Sequence, residues 1–148
     1  MKLRDLMTAD VITAARDDTT VSVAQTMRDR GVGSVVVTDS EGDPSGIVTD
    51  RDLALRVVAD ERAADQPIGP CATSPLVTGE PEMELEEAAA LMVQHRVRRL
   101  PIVDGRRLLG IVTLDDIAVR TGDLEVAQRM TADVIEGALP GFFFHERG

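Results

Sequence analysis

Two four-residue elements with the pattern Thr-x-x-Asp have residue types and a spacing that suit either a helix cap or a ligand site. They are Thr49–Asp52 and Thr113–Asp116, and each precedes a predicted helix. One interpretation is a capping box, in which the threonine hydroxyl and the aspartate carboxylate satisfy free backbone N–H groups at the helix start. The other is a ligand site, because a helix N-terminus favours an anion and an ionised carboxylate accepts hydrogen bonds from a ribose diol. The spacing alone leaves both interpretations open.

Both elements belong to an internal repeat. Residues 46–54 match residues 110–118 at an offset of 64, and upstream residues match at an offset of 65. The change of offset falls in Asp39–Ser45, which has the composition of a turn. Gly46 and Gly110 begin the matched stretches, and because they lack a side chain they would let a ligand approach the backbone closely.

Hydrophobic periodicity gives both copies the same order of elements, β-α-β-β-α, and so predicts an α/β fold. A repeat of this size is marginal by itself, so the two copies are expected to pack around a pseudo-two-fold axis. The predicted elements are an extended piece at Val11–Thr13 or Leu76–Thr78, a helix at Thr20–Arg30 or Leu85–His95, strands at Ser34–Thr38 and Ile47–Thr49 or Arg99–Val103 and Leu108–Thr113, and a second helix at Asp50–Ala59 or Leu114–Arg120.

The chain therefore divides into four predicted parts. The first repeat occupies residues 5–60, and residues 61–75 hold a Pro-rich linker and the start of the second repeat. The second repeat continues over residues 76–120. A C-terminal helix and a tail containing Phe142–Phe144 follow at residues 123–148.

Composition excludes several classes of protein. The net charge of −10 disfavours nucleic-acid binding, which depends on a cationic surface. One cysteine and two histidines argue against a disulfide scaffold and a zinc-cysteine module. No apolar run approaches the roughly 20 residues that span a membrane, and no signal segment follows the N-terminus. We therefore expect a cytoplasmic protein without a metal site or a membrane contact.

The sequence also lacks the patterns of an enzyme. It has no nucleophile–base pair and no Walker-type phosphate loop, so no catalytic residue is predicted. Basic residues are nonetheless clustered in the second repeat, where they could hold a small anion despite the acidic total. This cluster comprises Arg96, Arg98, Arg99, Arg106 and Arg107.

The repeated pattern resembles the cystathionine-β-synthase (CBS) domain family in its tandem form, the Bateman module. The resemblance rests on the two Gly-x-x-Thr-x-x-Asp elements, the register of the duplication, and the stretch His95–Asp104, which reads His-Arg-Val-Arg-Arg-Leu-Pro-Ile-Val-Asp. It covers residues 5–120. The chain is also similar to stand-alone bacterial two-CBS proteins, including the hypoxic response type.

The resemblance implies two clefts at the interface of the repeats, which bind AMP, ADP, ATP or another adenosine-containing molecule. The ribose-binding aspartate of the family corresponds to Asp52 and Asp116. The hydroxyl residue three positions earlier corresponds to Thr49 and Thr113. No cofactor is required in such a module.

Further contacts follow from the same resemblance. The family's basic residue before the Leu-Pro strand corresponds to Arg99, with Arg98 beside it. First-strand contacts cross between repeats in the family, so Thr13 and Ala14 are expected to face the cleft of Asp116. By the same crossing, Thr78 is expected to face the cleft of Asp52.

The first repeat departs from this pattern. Gly33-Ser34 stand where the second repeat has Arg98-Arg99, so the first repeat lacks that phosphate partner. Arg51 could compensate, because it lies at a helix start near the position of the phosphate. The two clefts are therefore expected to be unequal.

The resemblance implies a regulatory module that binds an adenine nucleotide and acts on an unknown effector protein in trans. A ligand-free structural or stress-response CBS dimer is the alternative, in which the Thr-x-x-Asp elements are helix caps alone. A homodimer is expected in either case. Its apolar surface is assigned to Leu53, Leu55, Ile117 and the helix that begins at Leu85.

Overall fold

The computed structural model describes residues 1–122 together with Glu125, Gln128, Arg129 and Ala132. The chain forms two compact units, and each is built from separate stretches of sequence. The predicted C-terminal helix at residues 123–138 and the tail with Phe142–Phe144 lie outside the described residues, apart from those four positions. Among the described residues, no helix is long and apolar enough to cross a membrane.

The first-repeat unit comprises Asp10–Val77 and Gly105–Leu108. Its three-stranded sheet has the order β1-β2-β3, with β1 parallel to β2 and β2 antiparallel to β3. The elements are β1 (Thr13–Ala15), α2 (Thr20–Arg30), β2 (Ser34–Thr38), β3 (Pro44–Thr49), α3 (Asp50–Leu53), a π-helical turn (Ala54–Val58) and a 3₁₀ turn (Gly69–Cys71).

Local sequence accounts for these elements. The Thr19 hydroxyl accepts the backbone N–H of Ser22 at 3.2 Å and so begins α2. Three β-branched residues, Val35–Val37, form the centre of β2 and are all buried. Aliphatic side chains of α2 and the sheet enclose the core, into which the Cys71 thiol also packs.

The second-repeat unit comprises Met1–Ala9, Thr78–Asp104 and the described residues from Leu109 onward. Strands β4 and β5 form a two-stranded sheet, and α1 packs against α5. The elements are α1 (Leu3–Leu6), α4 (Leu85–His95), β4 (Arg99–Asp104), β5 (Arg107–Thr113, of which Leu109–Thr113 belong to this unit) and α5 (Leu114–Thr121).

The N-terminal segment is an integral part of this second unit. Leu3 and Leu6 are fully buried. The carbonyl of Met1 accepts the backbone N–H of Leu85 at 3.0 Å and so satisfies a free donor at the start of α4. The Leu3 N–H donates to the carbonyl of Met83 at 2.9 Å.

Several predicted elements differ from the structure, among them the strand expected at Ile47–Thr49, which begins at Pro44 as β3. The extended piece expected at Leu76–Thr78 is not a strand, and only a bridge between Gly79 and Ile102 stands near it. The piece expected at Val11–Thr13 begins two residues later, as β1. The helix predicted from Asp50 to Ala59 is α-helical only to Leu53, because Ala54–Val58 adopts the wider π-helical turn.

Candidate functional site

Both Thr-x-x-Asp elements form complete capping boxes. The Thr49 hydroxyl accepts the N–H of Asp52 at 3.1 Å, and the Asp52 carboxylate accepts the N–H of Thr49 at 2.9 Å. In the second repeat the same two hydrogen bonds join Thr113 and Asp116, each at 3.0 Å. The capping interpretation is therefore confirmed for both helices.

The capping boxes leave one carboxylate oxygen of each aspartate without a role in the cap. An ionised carboxylate offers about four lone-pair sites, and the capping box uses one oxygen, Oδ2. In the first repeat the second oxygen of Asp52 lies 4.0 Å from Nε of Arg56. Both aspartates are half-buried rather than enclosed. Each can therefore cap its helix and still accept a hydrogen bond from a ribose hydroxyl.

An open pocket of about 150 Å³ lies at the start of α5. It is smaller than the roughly 300–1,000 Å³ of a pocket that encloses a drug-sized ligand. Its size therefore suits a phosphate group rather than a whole nucleotide. The residues that line it are Arg98, Arg99, Thr113, Leu114 and Asp115.

The chemistry of this lining favours an anion. A guanidinium group presents a planar fork of N–H donors that matches the oxygens of a phosphate. Arg98 is exposed and Arg99 is half-buried. The positive end of the α5 dipole adds to the attraction. Three of the predicted site residues, Arg98, Arg99 and Thr113, are thus brought together, and Asp116 is hydrogen-bonded to Thr113.

The remaining predicted residues lie in different surroundings. Thr78 is half-buried in the second-repeat unit, beside the bridge at Gly79. Thr13 is exposed on β1 of the first-repeat unit, whereas the side chain of Ala14 belongs to that unit's core. Arg51 is exposed one residue before Asp52.

The interpretation of Gly46 and Gly110 as openings for a ligand is wrong, because the protein's own chain fills the space. A Cβ atom added to Gly110 would lie 2.7 Å from the carbonyl oxygen of Thr8. A Cβ added to Gly46 would lie 3.0 Å from the carbonyl oxygen of Thr73. Each glycine therefore admits a neighbouring backbone segment.

The predicted arginine cluster also needs a correction, since Arg106 is engaged elsewhere. Its Nε donates to the carboxylate of Asp43 at 2.7 Å, and its guanidinium also pairs with Glu41. The hydrogen bond to Asp43 raises the pKa of Arg106 above its ordinary value. Of the five arginines in the predicted cluster, Arg98 and Arg99 line the pocket at the start of α5.

Sequence reasoning missed two residues of the pocket, Leu114 and Asp115. A comparison of the two repeats could have drawn attention to these positions, because it aligns Leu114 with Asp50 and Asp115 with Arg51. The alignment thus places residues of different charge at the same two positions of the two helices.

Comparisons with a family model and with known proteins agree on one family. The model of the CBS domain matches residues 3–59 and 68–120. The CBS domain-containing protein YhcV of Bacillus subtilis is 43% identical over 117 residues, which are 79% of this chain and 83% of YhcV. Hypoxic response protein 1 of Mycobacterium tuberculosis is 30% identical, over 87% of this chain and 91% of its own.

A solved structure resembles this one over most of its length. The CBS domain protein PAE2072 of Pyrobaculum aerophilum, complexed with AMP, superposes with a TM-score of 0.75 at 27% identity. The match covers 86% of this chain and 99% of that one. The predicted resemblance and the α/β fold of two repeats are thereby confirmed.

Proposed function

The chain belongs to the CBS-domain family, and from this premise we propose that it is a regulatory module that binds an adenine nucleotide and acts on a partner protein in trans. The observation that carries the proposal is the pocket at the start of α5, which is lined by Arg98, Arg99 and Thr113 among others. Two arginines beside a helix N-terminus suit a phosphate.

The ligand proposed for this site is AMP, ADP or ATP. The pocket accommodates a phosphate, and Asp116, which is tied to Thr113, offers its remaining carboxylate oxygen to the ribose. The adenine ring requires surface beyond the pocket, because the pocket holds only about 150 Å³. The AMP complex of PAE2072 supports this ligand class by family likeness.

Regulation follows from a shift in population. A nucleotide that binds one conformation of the module better than another favours that conformation by the difference in its binding free energies. A partner protein that contacts the favoured conformation would then be bound or released. No step of this scheme requires a catalytic residue, so we propose a binding protein and not an enzyme.

We further propose a homodimer held by exposed apolar side chains. Leu55 and Val58 on the π-helical turn are 51% and 75% exposed, and Val119 on α5 is 81% exposed. The expectation that Ile117 contributes is wrong, because it is fully buried in its own unit. Leu53 packs against the core of the first-repeat unit, which leaves Leu55 as the exposed member of the predicted pair.

A thermal-shift panel tests the nucleotide proposal. The full chain is heated with AMP, ADP, ATP or adenosine. GMP, which carries the same phosphate charge as AMP but a different base, serves as the control. A ligand at 100 times its dissociation constant should stabilise the protein by about 2.7 kcal/mol. The alternative, a ligand-free structural dimer, gives no shift with any member of the panel. That outcome would leave the two Thr-x-x-Asp elements as helix caps alone.

A further inference from the structure

The backbone donors at the starts of α3 and α5 are satisfied in nearly the same way. The N–H of the capping threonine and the N–H three residues later take part in the capping box of each repeat. The N–H of the first helical residue donates to a carbonyl at the start of the neighbouring strand. Asp50 donates to Gly33 at 3.1 Å, and Leu114 donates to Arg98 at 3.2 Å.

The second helical residue is where the two repeats differ. In the first repeat, the carboxylate of Asp50 accepts the N–H of Arg51 at 2.8 Å, which satisfies the last free donor. In the second repeat, Leu114 stands in the place of Asp50 and carries no acceptor. Among the described residues, no group accepts the N–H of Asp115. One amide at the pocket is therefore available to an anion in the second repeat and occupied in the first.

The charges at the two positions reinforce this difference. Two cations, Arg98 and Arg99, line the second pocket together with the carboxylate of Asp115, and the carboxylate of Asp116 is hydrogen-bonded to Thr113 beside it. In the first repeat, Gly33 and Ser34 bring no cation. The positive charge of Arg51 there is balanced by Asp50, the residue before it.

We propose that Asp50 is the specificity-determining residue that excludes phosphate from the first repeat, so that only the second repeat binds the phosphate of a nucleotide. The carboxylate of Asp50 acts as a built-in anion. It occupies the amide that a phosphate would use and repels a second negative charge. This inference rests on the proposed nucleotide-binding function and refines it, because it assigns the phosphate to one repeat.

Pyrophosphate tests the inference without an adenine ring. Isothermal titration of the full chain should show one bound pyrophosphate per chain. Leu114→Asp places a carboxylate in the second repeat at the position that Asp50 occupies in the first. It should lower the affinity for pyrophosphate at least about tenfold, because like charges placed together cost several kcal/mol. Leu114 is only 7% exposed, so Leu114→Asn is the matched control. It brings the same shape and the same burial without the charge.

The reverse change tests Asp50 itself. Asp50 is exposed, so Asp50→Ala should leave the fold intact. It frees the Arg51 amide and removes the charge, and the number of bound pyrophosphates should rise from one to two. Three results would overturn the inference: two pyrophosphates on the unaltered chain or none, equal affinity of Leu114→Asp and Leu114→Asn, or an unchanged count in Asp50→Ala.

The same titrations with AMP separate this inference from the proposed function. If pyrophosphate behaves as expected and no adenine nucleotide binds, the nucleotide function fails and the assignment of the anion to the second repeat stands. If AMP binds but Leu114→Asp and Leu114→Asn bind it equally well, the function stands and the role given to the Asp50 carboxylate fails.

Discussion

The backbones of Thr8 and Ile111 pair through two hydrogen bonds of 2.9 Å, although the two residues come from different sequence repeats. The reciprocal pair joins Thr73 to Ile47 by hydrogen bonds of 2.8 and 3.1 Å. In each repeat, the segment before the first helix therefore pairs with a hairpin strand of the other repeat: Thr8 pairs with β5, and Thr73 pairs with β3. A fragment cut at the sequence boundaries of one repeat would lack part of its own compact unit.

This exchange predicts that the N-terminal segment stabilises the second repeat. Leu6 is fully buried, so Leu6→Ala should lower the free energy of unfolding by about 2–5 kcal/mol. Val21 on α2 is 39% exposed, and Val21→Ala serves as the control with a small effect. Chemical denaturation measures both. Equal effects of the two substitutions would show that the N-terminal segment does not contribute to the fold.

The close approach of backbone to Gly110 and Gly46 predicts an unequal pair of effects. Gly110→Ala sets a methyl group 2.7 Å from the Thr8 carbonyl oxygen, and Gly46→Ala sets one 3.0 Å from that of Thr73. Overpacking of this kind costs about 1–3 kcal/mol, and we expect Gly110→Ala to be the more destabilising. Thermal unfolding of the two variants compares them directly. A ligand role for Gly110 would instead appear as lost nucleotide affinity at unchanged stability.

The helices α2 and α4 have the bounds that the sequence predicts. A side-chain cap begins α2, whereas α4 begins without one and its Leu85 N–H donates to the distant carbonyl of Met1. Thr19 caps the start of α2 by its hydroxyl, and the residues that end the two helices, Gly31 and Arg96, adopt the left-handed conformation. The absence of a strand at Leu76–Thr78 could not be predicted in the same way. A strand depends on its partner, and periodicity in one segment carries no information about the path of another.

The site was predictable to a similar degree. The capping boxes follow from residue type and spacing, and they were confirmed at Thr49–Asp52 and Thr113–Asp116. The pairing of Arg106 with Asp43 could not be foreseen, because the two residues are far apart in sequence and meet only in the folded chain. The role of Gly110 was missed for the same reason.

Two substitutions distinguish the capping of α5 by Asp116 from its proposed contact with the ribose. Asp116→Ala removes the carboxylate half of the capping box and the ribose acceptor, while the Thr113 hydroxyl still accepts the backbone N–H of residue 116. It should cost about 0.5–1.5 kcal/mol of stability, for one lost hydrogen bond, together with affinity for AMP. Asp116→Asn keeps an oxygen for the N–H of Thr113 but loses the charge, so it should retain more stability and still bind AMP more weakly. Denaturation and titration calorimetry measure the two quantities. If AMP affinity, corrected for the folded fraction, is unchanged in both variants, Asp116 is a helix cap alone.

The phosphate role of Arg99 predicts a dependence on the ligand's own phosphate. Arg99→Gln removes a charged donor, and such hydrogen bonds contribute about 1.5–3 kcal/mol, so AMP affinity should fall by roughly tenfold to a hundredfold. Adenosine, which carries no phosphate, should bind the variant and the unaltered chain alike. Arg62→Gln, at an exposed position of the first-repeat unit, controls for the change in net charge. An equal loss for AMP and adenosine would place Arg99 away from the phosphate.

The proposed homodimer predicts the effect of a charge on the exposed apolar turn. Val58 is 75% exposed, and burial of such a side chain against a second copy contributes about 1.5–3 kcal/mol. Val58→Asp should therefore shift the protein from dimer to monomer in sedimentation analysis at a fixed concentration. Val119→Asp asks whether α5 contributes as well, and Val21→Asp on α2 serves as the control for an added charge. If the unaltered chain sediments as a monomer, the homodimer is wrong. If it sediments as a dimer and tolerates both Val58→Asp and Val119→Asp, the contact lies on a surface other than these two helical segments.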